Sequence, residues 1–228
     1  MKKFLVNTLC LNRELYRSEL QINQFGNASI RYKNLCYIKP SGADLEKINY
    51  KNISVVEINS GKLLSGLKPS VDLNIHLSIY KKYKNINTII HTHSLYATSW
   101  AQSGRPIPCY GTTHADYFPK EIPITNLLNK KSIKKDYEQE IGNSIINKLK
   151  KLKLNAESVP GILISNHGVA SWAPTSRKAM ENAIAIEFIA KLAFNSELLK
   201  KNAKKLPVDL HKKHYNRKHG KNSYYGQK

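Results

Sequence analysis

Short β-branched runs alternate with longer segments of helical period along the whole chain, and no stretch of linker composition interrupts them. Residues 28–32, 35–38, 53–58, 88–90 and 162–164 read as strands. Asn59-Ser60-Gly61-Lys62 turns the third of these into a hairpin with Leu63-Leu64. Residues 4–15, 72–83, 94–103, 132–150 and 176–199 carry helical spacing, with Gly104 stopping one helix and Pro207 breaking the last. No segment repeats. The chain is therefore expected to be one α/β domain over residues 1–228.

Composition narrows the function classes. At 228 residues the chain can bury roughly 70–75% of its unfolded surface, so folding needs no disulfide or metal. No run approaches the ~18 apolar residues of a membrane span. The opening Met1-Lys2-Lys3-Phe4-Leu5-Val6 is too soon interrupted by Asn7, Asn12 and Arg13 to be a secretory signal, and reads as a helix. Cys10, Cys36 and Cys109 form no CxxC pair, which suits a reducing cytoplasm. Net charge is +21, but 31 of the 37 positive side chains are lysine. Base-reading proteins lean on arginine, whose planar fork contacts bases bidentately. With abundant Asn and Ile, the lysines point to AT-rich codon usage and solvated faces, so neither nucleic acid nor membrane is an expected partner.

Histidine placement carries the chemistry. His91 and His93 end the strand at 88–90, and residues i and i+2 of an extended chain project to one face. His167 ends the strand at 162–164, within Asn166-His167-Gly168, and Asp72 stands at a helix start. Three imidazoles and a carboxylate suit zinc. An isolated His-x-His is also a common structural arrangement. Phe25-Gly26-Asn27, Lys39-Pro40-Ser41-Gly42 and Lys68-Pro69-Ser70 each offer backbone N–H groups beside polar side chains, as a phosphate requires, although such turns also merely reverse a chain. Asp116, in a glycine-led loop, is a candidate proton carrier or a turn cap.

Taken in order, these segments resemble the L-ribulose-5-phosphate 4-epimerases of the class II aldolase/epimerase superfamily. The similarity runs through His91-Thr92-His93-Ser94, Trp100-Ala101-Gln102 and Gly111-Thr112-Thr113-His114-Ala115-Asp116-Tyr117-Phe118. It continues to His214-Tyr215, Arg217-Lys218-His219-Gly220 and Tyr224-Tyr225-Gly226-Gln227, covering nearly the whole chain. The resemblance implies a mainly antiparallel central sheet flanked by helices. It implies one Zn2+ per subunit on Asp72, His91, His93 and His167. A substrate phosphate would lie among Gly26, Asn27, Lys39, Ser41, Gly42, Ser70 and Val71, with Asp116 and Tyr225 as acid/base pair and His214 assisting. It further implies a homotetramer in which the tail from about residue 207 serves a neighbouring subunit's site. The implied reaction interconverts L-ribulose 5-phosphate and D-xylulose 5-phosphate by retro-aldol cleavage and re-addition.

The alternative within the superfamily is a fuculose- or rhamnulose-phosphate type aldolase. Those have a glutamate base where this chain has the shorter Asp72. Several positions depart from the epimerase pattern. Val71 replaces a second serine, Leu95 and Tyr96 an Arg-His pair, Val169-Ala170 a Pro-Phe pair, and Pro119-Lys120 a Tyr-Gly pair.

Overall fold

A computed structural model describes residues 1–226; Gln227, the last residue of the closing motif, lies outside the described residues. Helix α1 (Lys2–Arg17) leads into β1 (Asn27–Tyr32), β2 (Leu35–Ile38), a 3₁₀ turn (Tyr50–Asn52), β3 (Ser54–Glu57) and β4 (Leu63–Ser65). Then follow α2 (Leu73–Lys82), β5 (Thr88–Thr92), α3 (Leu95–Gln102), the single turn α4 (Thr112–Ala115), α5 (Lys130–Lys135) and α6 (Tyr137–Lys151). The hairpin β6 (Gly161–Ile164) and β7 (Gly168–Ala173), then α7 (Ser176–Leu199) and α8 (Val208–His219), complete the chain.

The seven strands form one sheet in the order β4-β3-β2-β1-β5-β7-β6, every neighbouring pair antiparallel. Successive residues of β5 serve opposite faces, as strand geometry demands. Ile89 joins the larger core with Ile75, Ile79, Ile141, Ile145 and Trp172, which packs α2 and α6 over one face. Ile90 joins Leu11, Leu15, Ala28, Ile30 and Met180 beneath α1 and the start of α7. Burial of these Ile and Leu side chains, at about 1.5–3 kcal/mol each, is the main force holding the layers. Among the described residues, no helix is long and apolar enough to cross a membrane.

Three elements differ from the sequence reading. The helix expected over 132–150 is two helices, because Asp136 takes an extended conformation (φ −157°, ψ 92°) and its carboxylate caps α6 through the Gln139 N–H at 3.1 Å. Strand β7 had no sequence assignment, yet all six of its residues are buried. Pro207 does not break α7, which ends at Leu199; it caps α8, a helix with no buried residue in the segment read as a polar tail.

Candidate metal centre and its surroundings

The histidines converge from two places in the chain. Antiparallel pairing sets Asn27 of β1 opposite His91 of β5, and Ala170 of β7 on its other side. His93 follows just beyond the strand, and His167 sits in the β6–β7 turn beside Asn166, whose φ is 56°. The three imidazole centroids stand 4.9 Å apart in every pairing. One nitrogen of each ring lies within 4.8 Å of the other two. Gly168 permits this closeness: a Cβ there would meet the Thr92 carbonyl at 2.5 Å and His91 Cε1 at 3.3 Å.

Hydrogen bonding sets the tautomer of His91. Its Nδ1 donates to the Val169 carbonyl at 3.0 Å, which leaves Nε2 bare. That Nε2 faces His93 Nε2 at 3.1 Å. Two ligands on a tetrahedral zinc, each at about 2.05 Å, lie about 3.3 Å apart, so this pair of donors is spaced for such an ion. Burial lowers the pKa of His91 and His93, and takes His167 to about 4, which favours the neutral rings that a metal would need.

Asp72 lies at the edge of this cluster, Oδ2 at 4.0 Å from His91 Nε2. It occupies the N-cap position of α2 as its sequence setting suggests, but its side chain caps nothing. Instead Oδ2 accepts the Asn27 amide at 2.7 Å. Burial pushes its carboxyl pKa up, while the surrounding imidazoles and Asn27 outweigh that and hold it below the ordinary value.

The expected phosphate turns meet beside the cluster. Pro40 and Pro69 form a bridge, Ser41 N–H donates to the Lys68 carbonyl and Ser70 N–H to the Lys39 carbonyl, both at 3.0 Å. Asn27 Nδ2 links them to the metal side by donating to Ser70 Oγ at 3.1 Å as well as to Asp72. Ser70 Oγ accepts there and from Asp72 N–H, so its own proton is free to donate. Lys39 is buried with one ammonium proton on the Gln24 carbonyl at 3.2 Å, leaving two free. Burial lowers its pKa and Asp72 partly offsets this; an anion here would further favour the charged form. Gly26, at φ 106°, brings the chain close enough that a Cβ would stand 2.8 Å from the His91 carbonyl. Ser41 and Gly42 are exposed, and Val71 is 65% exposed.

Asp116 and the tail form a second cluster. Arg217 Nε and Nη2 grip the Asp116 carboxylate at 3.0 and 2.7 Å, and His214 Nδ1 joins at 3.2 Å. Burial raises the Asp116 pKa, but the Arg217 and His214 hydrogen bonds with Lys218 overcome this and leave it below the ordinary carboxylate range. Tyr225 lies alongside, its ring 5.1 Å from the Arg217 guanidinium and 4.3 Å from Lys218 Nζ. His214, which the resemblance assigns an assisting part beside the acid/base pair, is set against Asp116.

The two clusters occupy opposite ends of the same strands. Asp116 borders a cavity of about 470 Å³ whose walls include Asn85 and Ile86, ahead of β5, and Ala173 and Pro174, at the end of β7. His91 lies near the end of β5, and His167 immediately precedes β7. At about 3.3 Å per residue, roughly 15–20 Å of sheet separates them within one chain.

Residues 7–194 match the family described as Class II Aldolase and Adducin N-terminal domain. This chain belongs to the class II aldolase family. Among solved structures it is similar to an L-fuculose 1-phosphate aldolase, with a TM-score of 0.78 at 22% identity, covering 94% of this chain and 95% of that one. An L-fuculose 1-phosphate aldolase from Glaciozyma antarctica PI12 gives 0.75 at 14% identity, covering 95% and 81%. A sugar-phosphate aldolase from Thermotoga maritima gives 0.67 at 18% identity, covering 89% and 98%. Identities this low carry the fold and not the substrate.

As a class II aldolase fold, the chain also positions residues the sequence reading gave no role. Glu187 of α7 accepts the N–H groups of Tyr96 and Ala97 at 2.7 and 2.9 Å, capping α3 just after His93. Tyr137 Oη meets His167 Nδ1 at 3.2 Å. Arg217 lay within a quoted motif but without a partner. The Asp136 cap was the one local signal for Tyr137, since it makes that residue the first of α6.

Proposed function

We propose that this class II aldolase family member is an epimerase interconverting L-ribulose 5-phosphate and D-xylulose 5-phosphate, with a zinc ion on Asp72, His91, His93 and His167. The supporting observation is the state of the two carboxylates. Asp72 is tied to Asn27 beside the imidazoles, as a ligand is and a freely reaching base is not. Asp116 is ionised and held on Arg217 in a separate cluster with Tyr225. The proton carriers thus come from a different surface than the ligands.

Zinc in this cluster would supply Lewis acidity to the ketone and neighbouring hydroxyl oxygens. The chain's own side chains do the rest. Lys39 and Ser70, with Ser41 and Gly42 at the rim, hold the phosphate while the C3–C4 bond breaks. The phosphate-bearing aldehyde turns over on that tether and the bond reforms on its other face. Each face needs its own proton carrier, and Asp116 and Tyr225 fill those roles. In this reading a neighbouring subunit of a cyclic homotetramer supplies them, which their distance from the histidines in one chain supports. His214 and Arg217 keep the Asp116 carboxylate charged and aimed.

The fold similarity to fuculose-phosphate aldolases favours a second reading, a sugar-phosphate aldolase. Incubation with L-ribulose 5-phosphate, followed by NMR, separates the two. The epimerase produces D-xylulose 5-phosphate and reaches equilibrium. Cleavage of L-fuculose 1-phosphate to lactaldehyde, with L-ribulose 5-phosphate left unchanged, assigns the aldolase.

A further inference from the structure

His91 is placed by β5 and His93 follows directly after it, whereas His167 sits in the β6–β7 turn and needs another support. Its Nδ1 meets Tyr137 Oη at 3.2 Å, and the two rings lie parallel, 1° between planes with centroids 5.9 Å apart. We propose that Tyr137 is the positioning residue for His167, holding the ring so that Nε2 faces the other two imidazoles and thereby setting the metal affinity of the cluster. This rests on the reading that the three histidines hold a divalent ion.

At His91 the Val169 carbonyl accepts from Nδ1 and so forces the lone pair onto Nε2. His167 has no carbonyl in that position. With a cation on Nε2, its Nδ1 carries a proton and must donate, and the Tyr137 oxygen is the acceptor within reach. The opposite tautomer would direct an N–H at the ion. A phenol accepts this bond and keeps its own proton to give elsewhere.

Tyr137 is itself held. It opens α6, directly after the Asp136 cap. Asp136 Oδ2 accepts the Asn74 amide at 3.4 Å, and Gln139 donates to Ser78 Oγ at 2.6 Å, both on α2. Asp72 is the N-cap of α2, so the support of one expected ligand is pinned to the helix that follows another. The break at Asp136 separating α5 from α6 is what allows a tyrosine to stand there.

Tyr137→Phe keeps the ring and removes the oxygen. Zinc dissociation constants, measured on the full chain by competition with a chromophoric chelator, are expected to rise 10- to 100-fold, with the melting temperature of the metal-free protein unchanged. An unchanged constant in the variant overturns the proposal. A wild-type protein that takes up no zinc brings down the metal reading itself, a separate failure. The 15N spectrum of histidine-labelled, zinc-loaded wild-type protein gives an independent reading should the variant not fold. Zinc on His167 Nε2 with a protonated Nδ1 is the expected result, and zinc on Nδ1 overturns the assignment.

Discussion

Arg217 holds Asp116 by both carboxylate oxygens, across 101 residues of sequence, at 3.0 and 2.7 Å. This planar, two-point grip fixes direction as well as charge. Its removal raises the Asp116 pKa, because Arg217 is the strongest influence opposing the upward push of burial. For Arg217→Leu, the acidic limb of the kcat/KM profile should therefore move to higher pH, with zinc content unaltered. A fall in rate with no movement of that limb would assign Arg217 a different role.

The proposed sharing of the site between subunits has a complementation test. Asp116→Asn and His167→Ala should each lose at least about 100-fold in turnover, the scale of a lost acid/base. Mixed after subunit dissociation, the two inactive proteins should regain activity, since a hybrid interface joins an intact ligand cluster to an intact Asp116. No recovery in confirmed hybrids would place both residues in one chain's site.

Gly168 is the tightest point beside the ligands. In Gly168→Ala the new Cβ meets a backbone carbonyl at 2.5 Å, which no side-chain rotation relieves. Overpacking of this kind costs about 1–3 kcal/mol. Calorimetry should show a melting temperature lower by several degrees. Zinc affinity should fall too, because β5 and the β6–β7 turn must part.

His114 links stability to pH. Buried beside Phe118, with Nε2 donating to the Lys120 carbonyl at 3.0 Å, it has its pKa lowered by burial from 6.5 to about 4. Between those values the unfolded chain binds more protons than the folded one, so stability falls as pH drops from 6.5 to 4 and His114 contributes no further loss below. The contribution is on the order of 3 kcal/mol. Thermal melts of metal-free protein across this window should flatten in His114→Asn.

Strong local signals made much of the fold legible. The β-branched runs of β3 and β5, the turn at Asn59-Ser60-Gly61-Lys62 and the Thr175 cap each express a local preference that packing reinforces. Strand β7 was hidden because Gly168-Val169-Ala170-Ser171-Trp172-Ala173 is buried on both faces, so it lacks the alternation that marks a half-exposed strand. The spacing of Ile133, Tyr137 and Ile141 continued straight through the break at Asp136 and concealed it. Helix α8 buries no residue, so no apolar stripe announced it; its anchors are His211 on the Phe118 carbonyl and His214, Arg217 and His219 on Asp116.

At the candidate site, residue types and spacing pointed to candidate ligands, and the structure brings His91, His93 and His167 together with Asp72 at their edge. The position of Asp116 at the far end of the sheet was not legible, because it depends on how β5 and β7 run past one another. The Tyr137–His167 contact joins residues 30 apart and left no pattern in the sequence.

The central claim is that four side chains hold one divalent ion on which sugar-phosphate epimerisation depends. Zinc content and L-ribulose 5-phosphate turnover should be measured on the same preparation, before and after chelation and again after zinc is restored. One zinc per subunit, conversion to D-xylulose 5-phosphate, loss of both on chelation and joint recovery are expected. Undiminished turnover in protein stripped of divalent metal would contradict it.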